Sequence, residues 1–230
     1  MTAGKSTGLQ VDGLCHRLGE RVLLDGVDLD VGPGESMAIT GPSGSGKSTL
    51  LMCILGLIRP DRGSIRVGGR ELTGLSARKL AQERREHIGV VFQFGELLPE
   101  LTPVENVALP VLLGGGEHHD AYKRAAELLV ELGVPDEGTP TGMLSGGERQ
   151  RAAVARALIT EPRVLLADEP TGALDPTARE AVADILFAVS QQRGCALLVV
   201  THDLAVAARA GSTRQLEAGA LTRSLDGVGP

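Results

Sequence analysis

The run SMAITGPSGSGKSTLLMCILGLI, residues 36–58, constrains this chain more than any other stretch. A short apolar strand enters a glycine-rich loop, and an apolar helix leaves it. GPSGSGKST fits G-x-x-x-x-G-K-[ST] in the strand–loop–helix context that the pattern needs. The loop of Gly41, Pro42, Ser43, Gly44, Ser45 and Gly46, with Thr49 behind it, would wrap phosphates. Its glycines let backbone N–H groups turn inward. Lys47 would bridge the β- and γ-phosphates and Ser48 would give its hydroxyl to Mg²⁺. A second GKST at residues 4–7 has no strand ahead of it, so only the later copy can form the loop.

The rest of the chain continues the alternation. LQVDGLC and VLLDGVDLDV read as strands, Gly32-Pro33-Gly34 as a turn, and SIRV with GGR as a hairpin. Residues 76–86 read as helix and HIGVVFQ as a buried strand. RVLLAD and CALLVVT are continuous apolar strands, with helices TAREAVADILFAVSQQ and DLAVAARA after them. TRQLEAGALTRSL reads as edge strands. Apolar strands between helices predict an α/β core, a mostly parallel sheet covered on both faces. From Phe94 to about Leu132, helical segments broken by Pro99, Pro103, Pro110 and residues 114–116 predict an inserted helical lobe, about residues 94–160. Residues 1–8 are expected to be disordered, 9–222 to form a single domain and 223–230 a tail.

Composition narrows the partners. Aromatics are 2% of the 230 residues, with no Trp and one Tyr, so surfaces for stacking bases of a nucleic acid are scarce. The net charge is −6 and no basic run is present, which again argues against nucleic acid. Cys15, Cys53 and Cys195 are scattered without C-x-x-C and read as reduced, buried thiols of a cytosolic protein. No apolar run approaches twenty residues, so the chain is not expected to cross a membrane.

RVLLADEPTGALD ends an apolar strand in two carboxylates. Ligands gather at the carboxyl ends of parallel strands. Asp168 is therefore expected to hold Mg²⁺ through water, and Glu169 to polarise the attacking water. VVTHD ends the next strand in the same way, so His202 is expected to reach the γ-phosphate. His16, His87, His118 and His119 read as structural or exposed. Gln93 stands where the sheet meets the lobe, able to feel both the metal site and whatever docks on the lobe. LSGGERQ puts Ser145, Gly146 and Gly147 at a second helix start, another anion-binding arrangement. One complete phosphate cradle already exists, which raises the question of why one small chain carries two.

In chain order, GPSGSGKST, the glutamine of VVFQ, LSGGERQ, LLADEPT, GALD and VVTHD resemble the motif set of the nucleotide-binding subunit of ABC transporters. The resemblance covers roughly residues 9–222. FQFGELLPELTPVENVALPVLL and GALD are similar to the lipoprotein-release and macrolide-exporter branch. The resemblance implies an ATPase using ATP and Mg²⁺, with a phosphate-loop NTPase core, an antiparallel β subdomain and an inserted α-helical lobe. It implies that Gln93 joins Ser48 and Asp168 at the metal. Ser145, Gly146 and Gly147 would face the γ-phosphate of a partner's ATP, with Asp175 at the dimer contact. Two subunits, identical or not, would pair head to tail. An integral-membrane permease would dock on the lobe, in a groove near Leu97, Leu98 and Leu101. That places the subunit peripherally at the cytoplasmic face of the cell membrane.

Two positions depart from the family's pattern. Members usually carry an aromatic residue near the end of the first strand, to stack on adenine. Here Leu18 takes that place, which implies weaker ATP binding and poor discrimination among purine triphosphates. TPTGM before LSGGERQ is a milder departure. Such an ATPase energises export or extraction of a substrate by a permease, or drives a membrane partner mechanically with no substrate moved. The identity of the partner separates the two. Soluble relatives in DNA repair or translation carry coiled coils, tandem cassettes or zinc modules, and this sequence has none between its motifs.

Overall fold

The computed structural model describes residues 8–135 and 139–223. The chain opens with strands β1 (Leu9–Leu18) and β2 (Arg21–Val31), then β3 (Ser36–Thr40) and helix α1 (Lys47–Ile54). Strands β4 (Arg62–Val67) and β5 (Arg70–Glu71) form a hairpin, followed by α2 (Ala77–His87) and β6 (Ile88–Val91). Helices α3 (Pro103–Leu113), α4 (His118–Glu131) and α5 (Gly146–Leu158) come next, with a 3-10 turn at Thr141–Met143. The last part alternates: β7 (Val164–Asp168), α6 (Pro176–Arg193), β8 (Ala196–Val200), α7 (Leu204–Ala207), β9 (Ser212–Glu217) and β10 (Ala220–Arg223).

The strands form two sheets. β2-β1-β4-β5 is antiparallel throughout. The larger sheet has the order β10-β9-β3-β8-β7-β6, with every neighbouring pair parallel except β10 and β9. This is the expected α/β architecture, a mostly parallel sheet beside an antiparallel one and helices. β3 is central, and the chain later reaches β8 on one side of it and β9 on the other. That reversal opens a crevice at the carboxyl end of β3.

The apolar runs have a direct cause. β7 sends Val164 and Leu166 into a core shared with α1 and the antiparallel sheet, and Leu165 and Ala167 into a second core shared with α5 and α6. β8 does the same with Ala196, Leu198 and Val200 against Leu197 and Val199. Both faces are buried, so the period of two carries no polar half. Burying each larger side chain stabilises the fold by about 1.5–3 kcal/mol. α3 packs on α4 and α5, and α5 also lies against β6 and α6, so the helical layer is continuous with the core.

Several expectations need correction. Helix α1 stops at Ile54 rather than running to residue 58. The chain turns at Gly56, φ 66°, where a Cβ would lie 2.4 Å from Leu80 Cδ2. Pro110 does not break a helix; it lies near the end of α3, which continues to Leu113 at the loss of the one ladder bond that its N–H would have made to residue 106. DLAVAARA yields only the four-residue α7, capped by Asp203. Gly8 is not part of a disordered end: it is buried, and its carbonyl accepts from Gly68 N–H at 2.8 Å. Arg223 belongs to β10, paired with Arg214, rather than to a tail. Residues 1–7 and 224–230 lie outside the described residues. All three cysteines are free and buried. Among the described residues no helix is long and apolar enough to cross a membrane.

Candidate functional site

β3 ends at Thr40, and the loop curls over before α1 begins. Gly41 has φ 143° and Gly46 φ 106°. A Cβ on Gly41 would sit 2.4 Å from the Leu216 carbonyl oxygen, and one on Gly46 2.5 Å from that of Leu23. Only glycine fits at either place. Gly46 precedes α1 with no side-chain cap and no acid follows in the first turn, so the positive end of the helix is left open to an anion. Lys47 Nζ donates to the carbonyls of Gly41 at 2.8 Å and Pro42 at 2.9 Å, which anchors the ammonium across the loop. Ser45 Oγ is buried with no hydrogen-bond partner among the described residues. An open helix end and an anchored cation together fit a bound polyphosphate.

β7 and β8 end side by side, with Asp168 paired to Val200. Glu169 N–H donates to the Val200 carbonyl at 2.8 Å, while its φ of 47° is left-handed. That conformation costs a non-glycine residue about 1–3 kcal/mol, and such strain gathers at functional sites. It turns the Glu169 carboxylate back toward the next strand end. Glu169 Oε2 accepts from Thr201 Oγ1 at 3.2 Å and from His202 N–H at 3.3 Å, and Oε1 lies 2.9 Å from His202 Nδ1. The carboxyl of Asp168 is held above the ordinary aspartate range, first by burial and then by Glu169; the Ser48 hydroxyl and Lys47 ammonium act the other way. Two carboxylates desolvated together, beside a hydroxyl, fit a divalent cation.

These parts line one cavity of about 510 Å³. Of the expected residues, it brings together Leu18, the glycines 41, 44 and 46, Ser43, Lys47, Ser48, Thr49, Gln93, Asp168, Glu169 and His202. Gln93 reaches it past Gly172, where a Cβ would lie 2.9 Å from Gln93 Nε2. Pro42 and Ser45 are in the same loop but do not line the cavity. Ser145, Gly146, Gly147 and Asp175 do not line it either.

LSGGERQ, the family's signature segment, caps its own helix. Ser145 Oγ accepts from Glu148 N–H at 3.3 Å, and Glu148 Oε2 accepts from Ser145 N–H at 2.7 Å. Asp175 caps α6, accepting from Thr177 and Ala178 N–H at 3.0 and 3.1 Å. The two helix starts touch: a Cβ on Gly147 would lie 3.1 Å from Ala178 Cβ.

Four residues were missed by sequence reasoning. Gln150 Nε2 donates to the Phe92 carbonyl at 2.7 Å, and Arg156 donates to the carbonyls of Gly95 and Glu96, each at 2.7 Å. Both fasten α5 to the segment around Gln93. Asn106, fully buried, ties the segment 98–102 to the Thr141 turn. Arg21 donates from Nη2 to the Gly44 carbonyl at 2.7 Å. Only Gln150 carried a signal, as the last letter of LSGGERQ.

The family description "ABC transporter" matches residues 24–172. The chain is 46% identical over 218 residues to the lipoprotein-releasing system ATP-binding protein LolD of Cereibacter sphaeroides, covering 92% of this chain and 97% of that protein. It is 43% identical over 201 residues to the LolD protein of Chromohalobacter salexigens, covering 87% and 85%. A solved ATP-binding cassette, described as a dimer in a post-hydrolysis state bound to ADP and Pi, matches with a TM-score of 0.83 at 35% identity, covering 94% of this chain and 97% of that one. A phosphate loop, a carboxylate pair and a strand-end histidine on one cavity, in a fold and sequence shared with these proteins, make the conclusion plain: the chain belongs to the ABC transporter family as an ATP-binding cassette, an ATPase working with ATP and Mg²⁺ and similar to the lipoprotein-release branch.

Proposed function

We propose that this chain powers a membrane permease in lipoprotein release, by ATP-driven pairing of two cassettes. One observation carries the pairing. Lys47, Gln93, Asp168, Glu169 and His202 share a cavity, while Ser145, Gly146 and Gly147 stand outside it. Two anion-binding helix starts on one chain both find use if each nucleotide lies between one chain's phosphate loop and the partner's signature segment. Solved cassettes 35% and 36% identical to this chain are described as dimers, which supports the reading. The names of the 43–46% identical relatives support lipoprotein release as the work done.

In this reading, residues 41–49 wrap the phosphates, and Lys47 exchanges its two loop carbonyls for β- and γ-phosphate oxygens. Ser48, Gln93 and Asp168 hold Mg²⁺, which supplies positive charge to the phosphate oxygens. Glu169 takes the proton of the attacking water. His202, fixed by that same carboxylate, faces the γ-phosphate. Asp175 sits at the contact between the two chains, identical or related. The lobe, about residues 94–160, receives the permease near Leu97, Leu98 and Leu101, at the cytoplasmic face of the cell membrane. Exposed Phe94 and Leu98 beside half-buried Leu97 support a docking role there.

Glu169→Gln tests the pairing because it keeps the side chain's shape and removes the base. Phosphate release should fall by about 10²–10⁴-fold, and ATP should trap a dimer visible by light scattering. A variant that binds ATP and stays monomeric would sink the two-chain mechanism.

A further inference from the structure

Lys47, Asp168, Glu169 and His202 line the nucleotide cavity with charged and titratable groups suited to the phosphates. Leu18, Arg21 and Leu23 of the β1–β2 hairpin line it too, two apolar side chains with a guanidinium between them, which suits the base of a nucleotide bound through the loop. Leu18 and Arg21 are direct partners across the tip of the β1–β2 hairpin. Leu18 is 69% exposed and has no ring to offer. Arg21 is also exposed, yet it is not loose: Nη2 donates to the Gly44 carbonyl at 2.7 Å, its only side-chain hydrogen bond among the described residues. The same nitrogen would lie 3.5 Å from a Cβ on Gly44. The guanidinium is therefore tethered to the phosphate loop at the mouth of the cavity. A guanidinium is planar, stacks on aromatic faces and keeps its charge at every working pH. Holding one nitrogen leaves the plane and the other donors available.

We propose that Arg21 is the base-recognition residue of this site. Tethered to Gly44, it presents its guanidinium face to a purine ring, and Leu18 covers the ring's edge. The pair does the work of the missing aromatic side chain. The proposal rests on the nucleotide reading of the cavity. It deepens that reading by naming the specificity: a guanidinium face reads the π-surface of a base and few of its edge groups. Adenine and guanine should therefore bind about equally well, and the smaller pyrimidines less well.

The test is titration calorimetry on the full chain with Mg²⁺, using ATP, GTP and inorganic tripolyphosphate. Arg21→Ala should weaken ATP and GTP about tenfold and leave tripolyphosphate within about twofold. Arg21→Lys keeps the charge without the plane and should match Arg21→Ala. Adding Leu18→Tyr to Arg21→Ala should restore ATP binding, because a ring can replace a guanidinium face but cannot replace the Gly44 tether. Equal loss for ATP and tripolyphosphate, wild-type ATP affinity of Arg21→Lys, or no rescue by Leu18→Tyr would each overturn the assignment. Wild-type protein that binds neither ATP nor tripolyphosphate would instead refute the nucleotide reading itself.

Discussion

Asn106 offers the sharpest test of how the helical layer is tied to the segment that follows Gln93. It is fully buried on α3. Its Oδ1 accepts from Leu98 N–H at 2.8 Å. Its Nδ2 lies 2.9 Å from the Leu98 carbonyl, 3.1 Å from that of Thr102, 3.3 Å from that of Leu101 and 3.3 Å from Thr141 Oγ1. Two N–H groups cannot serve four acceptors fully, so the side chain contributes about three good hydrogen bonds in all, each worth about 1 kcal/mol net. Asn106→Ala should therefore destabilise the protein by about 3 kcal/mol, lowering Tm by roughly 6–12 °C for a chain of this length. Calorimetry and urea unfolding measure this directly. ATP affinity should stay unchanged, since Asn106 does not line the nucleotide cavity. Asn106→Asp adds a second signature. Its new oxygen faces carbonyls and carries charge in a buried place, so its folded-state pKa rises above the unfolded value. Its penalty is full at neutral pH and shrinks as pH falls through that raised value. Asn106→Ala within about 1 kcal/mol of wild type would show that the network is ornamental. Loss of ATP binding in the folded variant would show that the clamp acts on the nucleotide site.

Two further outcomes follow from local geometry. Gly46→Ala combines φ 106° with a Cβ 2.5 Å from the Leu23 carbonyl oxygen; it should cost about 1–3 kcal/mol and abolish ATP binding, and unchanged affinity in calorimetry would contradict the cradle geometry. The Glu148 carboxyl is held below the ordinary glutamate range by the Ser145 hydroxyl and then by the Ser145 N–H. Its folded-state value is depressed, so its stabilisation is present above the unfolded value of about 4.3 and is lost as pH falls through the folded one. Glu148→Gln should flatten that part of the acid limb of a Tm-versus-pH curve, and identical curves would remove the cap from the account.

What the sequence revealed and what it hid have the same physical origin. β7 and β8 were legible because both their faces are buried, leaving no polar position to blur the run. The phosphate loop was legible because its chemistry is made by consecutive residues. Arg156 and Asn106 were not, because each donates to backbone carbonyls, and carbonyls carry no sequence mark; Gln150 was marked only as the last letter of LSGGERQ, not by its bond to the Phe92 carbonyl. Arg21 reads as an ordinary charge at a hairpin tip until Gly44 is seen beside it. Helix α1 ends early because Leu80, from a distant helix, packs where Gly56 must turn.

The two glycine-rich helix starts are also less alike than their sequences suggest. α1 begins at Gly46 with no side-chain cap and no acid in its first turn. α5 begins with a full capping box, and the Glu148 carboxylate already lies on the Ser145 N–H. A helix end that holds its own carboxylate competes poorly for a free phosphate. The open end of α1 does not have that competitor. A nucleotide should therefore load onto the phosphate loop of a single chain first. In the proposed pairing, the signature segment then adds only what remains once the partner brings an already bound γ-phosphate to it. Under that proposal the difference in capping sets an order, binding before pairing, that neither motif states by itself.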